Sequence, residues 1–179
     1  FKPYVYAAGL ASGLYRPDTR VVDRPVCIGN WCPQNYGRSF SGATTLTVAV
    51  AKSINTIPIQ VSIALGKAMG ISHEARAAAA GRKKIIETAH AMGITTQLTD
   101  SVSLPIGSAE VNVIDQAAGS AVFANGGRKA KPYAAMEVRN SSGEVIYRHS
   151  DEKPEQILSP QVVADMNFML NKVVEEGTG

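Results

Sequence analysis

Apolar residues recur at helical spacing over most of this chain and alternate only late in it. Over residues 1–14, Tyr4, Ala7, Ala8 and Leu14 fall near one face, which predicts a helix ending at Gly13-Leu14. Residues 16–43 lose that period. Pro17, Asp18, Asp23, Pro25, Pro33 and Asn35 punctuate them, so a long irregular segment is expected. Long loops in compact domains are usually functional or disordered, and Trp31 and Tyr36 suggest that this one is ordered against something. A short helix is expected over Thr44–Lys52, capped by Thr44 or Thr45, with Leu46, Ala49, Val50 and Ser53 on one face. A second starts near Asn55, takes Pro58 in its first turn, and runs to Gly66 or Gly70. Residues 74–92 form an Ala-rich third helix whose Arg82-Lys83-Lys84 edge reads as a solvated face. Leu104-Pro105-Ile106-Gly107-Ser108 reads as a loop or short extended piece, and Asn112–Ala124 as a helix stopped by Asn125-Gly126-Gly127. Tyr133–Val138 and Glu144–His149 alternate as strands about an Asn140–Gly143 turn. Ser159-Pro160 opens a last helix to Glu175. Helices, then a hairpin, then a helix indicate an α+β fold, without internal repeats.

A length of 179 residues suits one domain or part of a larger one. Both ends read as cut. The Phe1-Lys2-Pro3-Tyr4 start is too apolar for a free terminus, and Glu176-Gly177-Thr178-Gly179 follows directly on a helix, where a strand would come next. Charged residues make up 18% and hydrophobic ones 45%, which excludes a disordered charged tail. Lys+Arg 18 against Asp+Glu 15 leaves +3, too small a balance to argue for nucleic acid. No run of about 18 apolar residues is present, so no membrane span is expected in these residues. Cys27 and Cys32 flank Ile28-Gly29-Asn30-Trp31 in the loop-like stretch. Unpaired thiols and a local disulfide in an oxidising compartment are both open. No metal site is expected, because the cysteines have no second ligand pair and His73, His90 and His149 are isolated.

Two places could carry chemistry. Ser53 and Asn55 lie at the junction of two expected helices. In a continuous helix, residues two apart point about 200° from each other. They can serve one site only if the helix breaks, which Pro58 favours. Ser and Asn are also favoured caps, and Asn55 could simply cap the second helix. Lys2 lies in an apolar stretch. It either snorkels outward or is partly desolvated, which would lower its pKa and make it a usable base.

In order along the chain come Phe1-Lys2-Pro3, Val22-Asp23, Trp31-Cys32-Pro33-Gln34-Asn35-Tyr36, Gly42-Ala43-Thr44-Thr45-Leu46 and Ala51-Lys52-Ser53-Ile54-Asn55. Pro105-Ile106-Gly107-Ser108-Ala109-Glu110-Val111, Phe123-Ala124-Asn125-Gly126-Gly127 and Gly177-Thr178-Gly179 follow. This ordered set resembles the transpeptidase domain of class A, bifunctional penicillin-binding proteins over nearly the whole chain. The resemblance implies a serine β-lactamase/transpeptidase-like fold, present as its helical part plus a hairpin. The family's signatures are Ser-x-x-Lys, Ser-x-Asn and Lys-Thr-Gly. Lys2 matches the lysine of the first, whose nucleophilic serine would lie two positions before Phe1. Ser53 and Asn55 match the second, and the third would lie beyond Gly179. Residues 1–179 would then be a partial domain, with Lys2, Ser53 and Asn55 as its catalytic residues and no cofactor.

The implied activity is D,D-transpeptidation. Stem peptides ending in D-Ala-D-Ala would be cross-linked through a serine acyl-enzyme that β-lactams trap. The implied setting is the periplasmic face of the bacterial inner membrane, reached through parts of a longer protein, with cell-wall assembly proteins as further partners. A D,D-carboxypeptidase, a β-lactamase or a non-catalytic β-lactam sensor of the same fold is the alternative. Residues Lys67–Arg82 have no counterpart in the family pattern and are expected to be a surface insertion or helix.

Overall fold

The computed structural model describes residues 1–150 and 154–179. In chain order its elements are α1 (Lys2–Ala11), β1 (Arg20–Asp23), β2 (Gly42–Thr45), α2 (Leu46–Ala51), α3 (Thr56–Ala68), α4 (Glu74–Ala91), a 3₁₀ turn (Leu104–Ile106), α5 (Val113–Ala124), β3 (Glu137–Arg139), β4 (Val145–Arg148) and α6 (Pro160–Glu176). Six helices with two separate two-stranded antiparallel sheets make the described residues α+β, as expected.

After Lys2, α1 has no charged residue, and every residue from Tyr4 to Leu10 is buried. A helix apolar all round belongs in the middle of a core. It packs against α3, α4 and α6, and the main cluster includes Tyr4, Tyr6, Leu46, Ile57, Ile85, Met92, Leu104 and Met166. Leu14 lies past the helix end and is exposed. Lys2 lies on the first turn of this buried helix.

The pair α3 and α4 decides between the two alternatives expected for residues 67–82: they lead into a helix, which packs against α3 and is not a surface insertion. Ala77 and Ala78 are fully buried, and Gly66 and Gly81 let the two backbones touch. A Cβ on Gly66 would overlap the Ala77 carbonyl, and one on Gly81 the Ser62 carbonyl. Small residues on one face are what permit so close a crossing. Nor is Arg82 on a solvated face. Its side chain is 8% exposed and pairs with Asp100 at 2.5 Å, while Lys83 and Lys84 remain exposed as expected.

The stretch expected to be irregular contains a hairpin. β1 pairs with β2 in the register Arg20↔Thr45 to Asp23↔Gly42. Its strands are four residues each, mostly exposed or half-buried, so they carry little apolar alternation to announce them. The loop between them is stapled by a Cys27–Cys32 disulfide, which resolves the two readings left open for these cysteines. Ile28 and Trp31 form an antiparallel bridge inside the staple. Trp31 packs on a second cluster of Val26, Ile28, Ile59 and Ile63, whereas Tyr36 is fully exposed and orders nothing.

Other local signals act as read. Thr45, not Thr44, caps α2 by accepting the Val48 N–H at 3.3 Å, and Ser159 caps α6 through the Val162 N–H at 3.3 Å. The late strands are shorter than their patterns, because β3–β4 is an outlying hairpin exposed along most of its length.

Candidate active site

The segment between α2 and α3 turns instead of continuing as helix. Ser53 takes φ +53°, in the left-handed region that L-residues with a side chain seldom adopt. Ile54 is buried and anchors the turn, and α3 begins at Thr56. The break lets Ser53 and Asn55 face the same way, as the sequence reading required.

Lys2 reaches this turn from α1. Its Nζ donates to the Ser53 carbonyl at 2.7 Å, to Ser53 Oγ at 3.0 Å and to Asn55 Oδ1 at 2.7 Å. Three oxygens around one nitrogen match the three donors of an ammonium group. A neutral amine could keep two of these contacts and offer its lone pair to the Ser53 hydroxyl. Burial pushes the Lys2 pKa down to about 8. Among the described residues no carboxylate pairs with Lys2 to oppose that shift. Of the two readings of Lys2, partial desolvation is the one the structure takes.

Asn55 does not cap α3: its side chain makes no capping hydrogen bond. Its Nδ2 donates to the Gln34 carbonyl at 2.8 Å, and its backbone N–H to Asn35 Oδ1 at 2.8 Å. Asn35 Nδ2 in turn donates to both oxygens of Asp23, at 3.0 and 2.9 Å, and to the Ser39 carbonyl at 2.9 Å. Asp23 is 1% exposed and also accepts from Thr56 Oγ1 at 2.6 Å and the Ser41 N–H at 2.7 Å. Burial alone would raise its pKa, but hydrogen bonds from Thr56, Ser41 and Asn35 outweigh that and hold the carboxyl below its usual range. Sequence reasoning assigned no role to Asp23, Gln34 or Asn35. No local signal marks them, because their partners lie 12, 20 and 21 residues away along the chain.

The arrangement can accept a proton at Lys2, pass it along Ser53 Oγ, and present an uncharged amide at Asn55. A cleft of about 460 Å³ lies beside Phe1, lined by Gly107, Ala109, Val111, Gln116 and Ser120 among others. None of Lys2, Ser53 and Asn55 lines it. Among the described residues no group of three His, Cys, Asp or Glu is arranged to hold a metal ion.

Known proteins similar to this chain fall in one group. A family model described as the penicillin binding protein transpeptidase domain matches residues 1–179. Penicillin-binding protein 1A of Pseudomonas aeruginosa is 30% identical over 172 residues, which is 92% of this chain and 19% of that protein. The chain spans about a fifth of the length of the curated relatives it matches. Among solved structures, the D,D-transpeptidase domain of a peptidoglycan glycosyltransferase from Eggerthella lenta superposes with TM-score 0.78 at 21% identity, over 100% of this chain and 48% of that one. PonA1 from Mycobacterium tuberculosis in complex with penicillin V superposes with TM-score 0.76 at 17% identity, over 94% and 44%. At such identities the likeness to the two structures is one of fold.

Proposed function

The chain belongs to the penicillin-binding protein transpeptidase domain family, and from that premise we propose that it supplies Lys2, Ser53 and Asn55 to the serine acyl-enzyme site of a D,D-transpeptidase within a bifunctional peptidoglycan synthase. The observation that carries the reading is the position of Lys2 Nζ, 3.0 Å from Ser53 Oγ and 2.7 Å from Asn55 Oδ1. On this reading a longer chain provides the nucleophilic serine two positions before Phe1 and a Lys-Thr-Gly strand beyond Gly179.

A serine three residues ahead of Lys2 would lie one helical turn away, on the same face. Neutral Lys2 takes its hydroxyl proton as the serine oxygen attacks the carbonyl of the penultimate D-alanine. The proton held on Lys2 passes through Ser53 Oγ to the departing D-alanine amine as the C–N bond breaks. Asn55 holds the stem peptide by its amide, which donates and accepts without charge. An amine of a second stem peptide then attacks the acyl-enzyme. Its proton returns by the same route, releasing the serine and leaving a cross-link. β-Lactams would acylate the same serine and block it. The site would work at the periplasmic face of the inner membrane, tethered by other parts of the protein. No helix among the described residues is long and apolar enough to cross a membrane.

Fluorescent penicillin labelling of the longer protein, paired with a cross-linking assay, tests this. Both label and cross-links are expected, and Ser53→Ala and Asn55→Ala should each slow acylation on the order of 10²-fold without unfolding the protein. Residues 1–179 alone should take up no label. Acylation without cross-links would replace the reading with a sensor, and rapid release of hydrolysed drug with a β-lactamase.

A further inference from the structure

We propose that Asp23 and Asn35 are positioning residues for this site: the buried carboxylate orients the Asn35 amide, which holds the main chain of Asn55 and so aims its side-chain oxygen at Lys2 Nζ. This rests on the functional reading above and adds how that site is kept in register.

The case is one of donors and acceptors. Asn35 Nδ2 faces three acceptors, the two Asp23 oxygens and the Ser39 carbonyl. Its Oδ1 faces one donor, the Asn55 N–H. Turned over, the amide would set its oxygen against a carboxylate and its NH₂ against an N–H, so it can sit only one way round. Asp23 enforces that choice because it is an acceptor alone, and it is fixed by Thr56 Oγ1, at the start of α3, and by the Ser41 N–H, just before β2. The chain neighbour of Asn35 completes the hold. The Gln34 carbonyl accepts from Asn55 Nδ2, which leaves Asn55 Oδ1 as the atom directed at Lys2. One loop therefore grips Asn55 by both its backbone and its side chain. Neither Asp23 nor Asn35 hydrogen-bonds Lys2 or Ser53, so any effect they have on the chemistry passes through Asn55. A buried carboxylate needs partners wherever it occurs. What distinguishes this one is that its chain of hydrogen bonds ends on the candidate base.

The test uses the full-length protein with Asp23→Asn, Asn35→Ala and Asn55→Ala, following the time course of fluorescent penicillin labelling. Two quantities are read separately: the rate constant and the final labelled fraction. Misplacing Asn55 should lower the rate constant of Asp23→Asn and Asn35→Ala about 10- to 100-fold, with the final fraction equal to wild type. A role in folding alone would lower the fraction and leave the rate constant of the surviving protein unchanged, which would overturn the proposal. Asn35 is only half-buried, so Asn35→Ala carries the test if Asp23→Asn yields no folded protein. Wild-type rates in both variants beside a slow Asn55→Ala would defeat this proposal and spare the functional reading. A wild-type rate in Asn55→Ala would defeat both.

Discussion

If Lys2 is the base, acylation must follow its deprotonation. With its pKa pushed down to about 8 by burial, about 1% of the side chains are neutral at pH 6, a tenth at pH 7 and half at pH 8. An ordinary lysine would be neutral in roughly four molecules in ten thousand at pH 7. The rate constant for penicillin acylation of the full-length protein, measured from pH 6 to pH 9, should therefore rise about fiftyfold up to pH 8 and then about twofold more. The sign follows from the cause: burial penalises the charged form, and the neutral amine is the reactive one. Lys2→Arg gives an independent arm. A guanidinium keeps N–H donors for Ser53 and Asn55 but stays protonated throughout this range, so the variant should fold and not acylate. A rate that is flat between pH 6 and pH 8, or that climbs tenfold per pH unit without levelling, would refute the assignment of Lys2 as base. So would acylation by Lys2→Arg at the wild-type rate.

The α3–α4 crossing makes a sharp demand on stability. Glycine to alanine normally favours a helix by about 1 kcal/mol, yet Gly81→Ala should destabilise the protein by about 3 kcal/mol, since the new methyl meets the Ser62 main chain and not a side chain that can move. Thermal unfolding of the variant beside wild type checks this, and an unchanged or higher midpoint would show that the helices separate freely. The Cys27–Cys32 staple closes a short loop, five residues apart in sequence, whose cysteines are exposed. Reduction should cost about 2 kcal/mol by the loop-closure estimate and slow acylation, because the same loop presents Gln34 and Asn35. Denaturant midpoints and labelling rates with and without reductant measure both effects, and no change in either would mean that the loop is held by its other contacts.

Signals confined to one turn of chain were legible without the structure. Thr45 and Ser159 cap the helices they precede, Pro58 sits in the first turn of α3, and Asn125 follows the end of α5. What escaped was pairing across distance. The β1–β2 ladder joins Arg20 to Thr45 with little apolar alternation in either strand. Arg82 looked solvated because its partner, Asp100, stands 18 residues away. Tyr36 looked like an anchor because an aromatic ring in a loop often is one. The site divided in the same way. Ser53 and Asn55 announced themselves as a pair, but their common direction depends on a left-handed residue at Ser53, which serine does not signal. The link to Lys2 spans 51 and 53 residues and was anticipated through family resemblance, not through spacing. The Asp23–Asn35–Asn55 contacts span 12 and 20 residues, and nothing in a run of loop residues marks which polar groups will be buried.

The backbone of Ser53 has an evolutionary corollary. A residue with a side chain at φ +53° sits on the order of 1 kcal/mol above a glycine in the same place. Random mutagenesis scored by thermal tolerance alone would thus drift toward glycine here and discard the hydroxyl that touches Lys2. Libraries built to toughen such a protein need a selection for turnover running alongside, or their hardiest members will be silent ones.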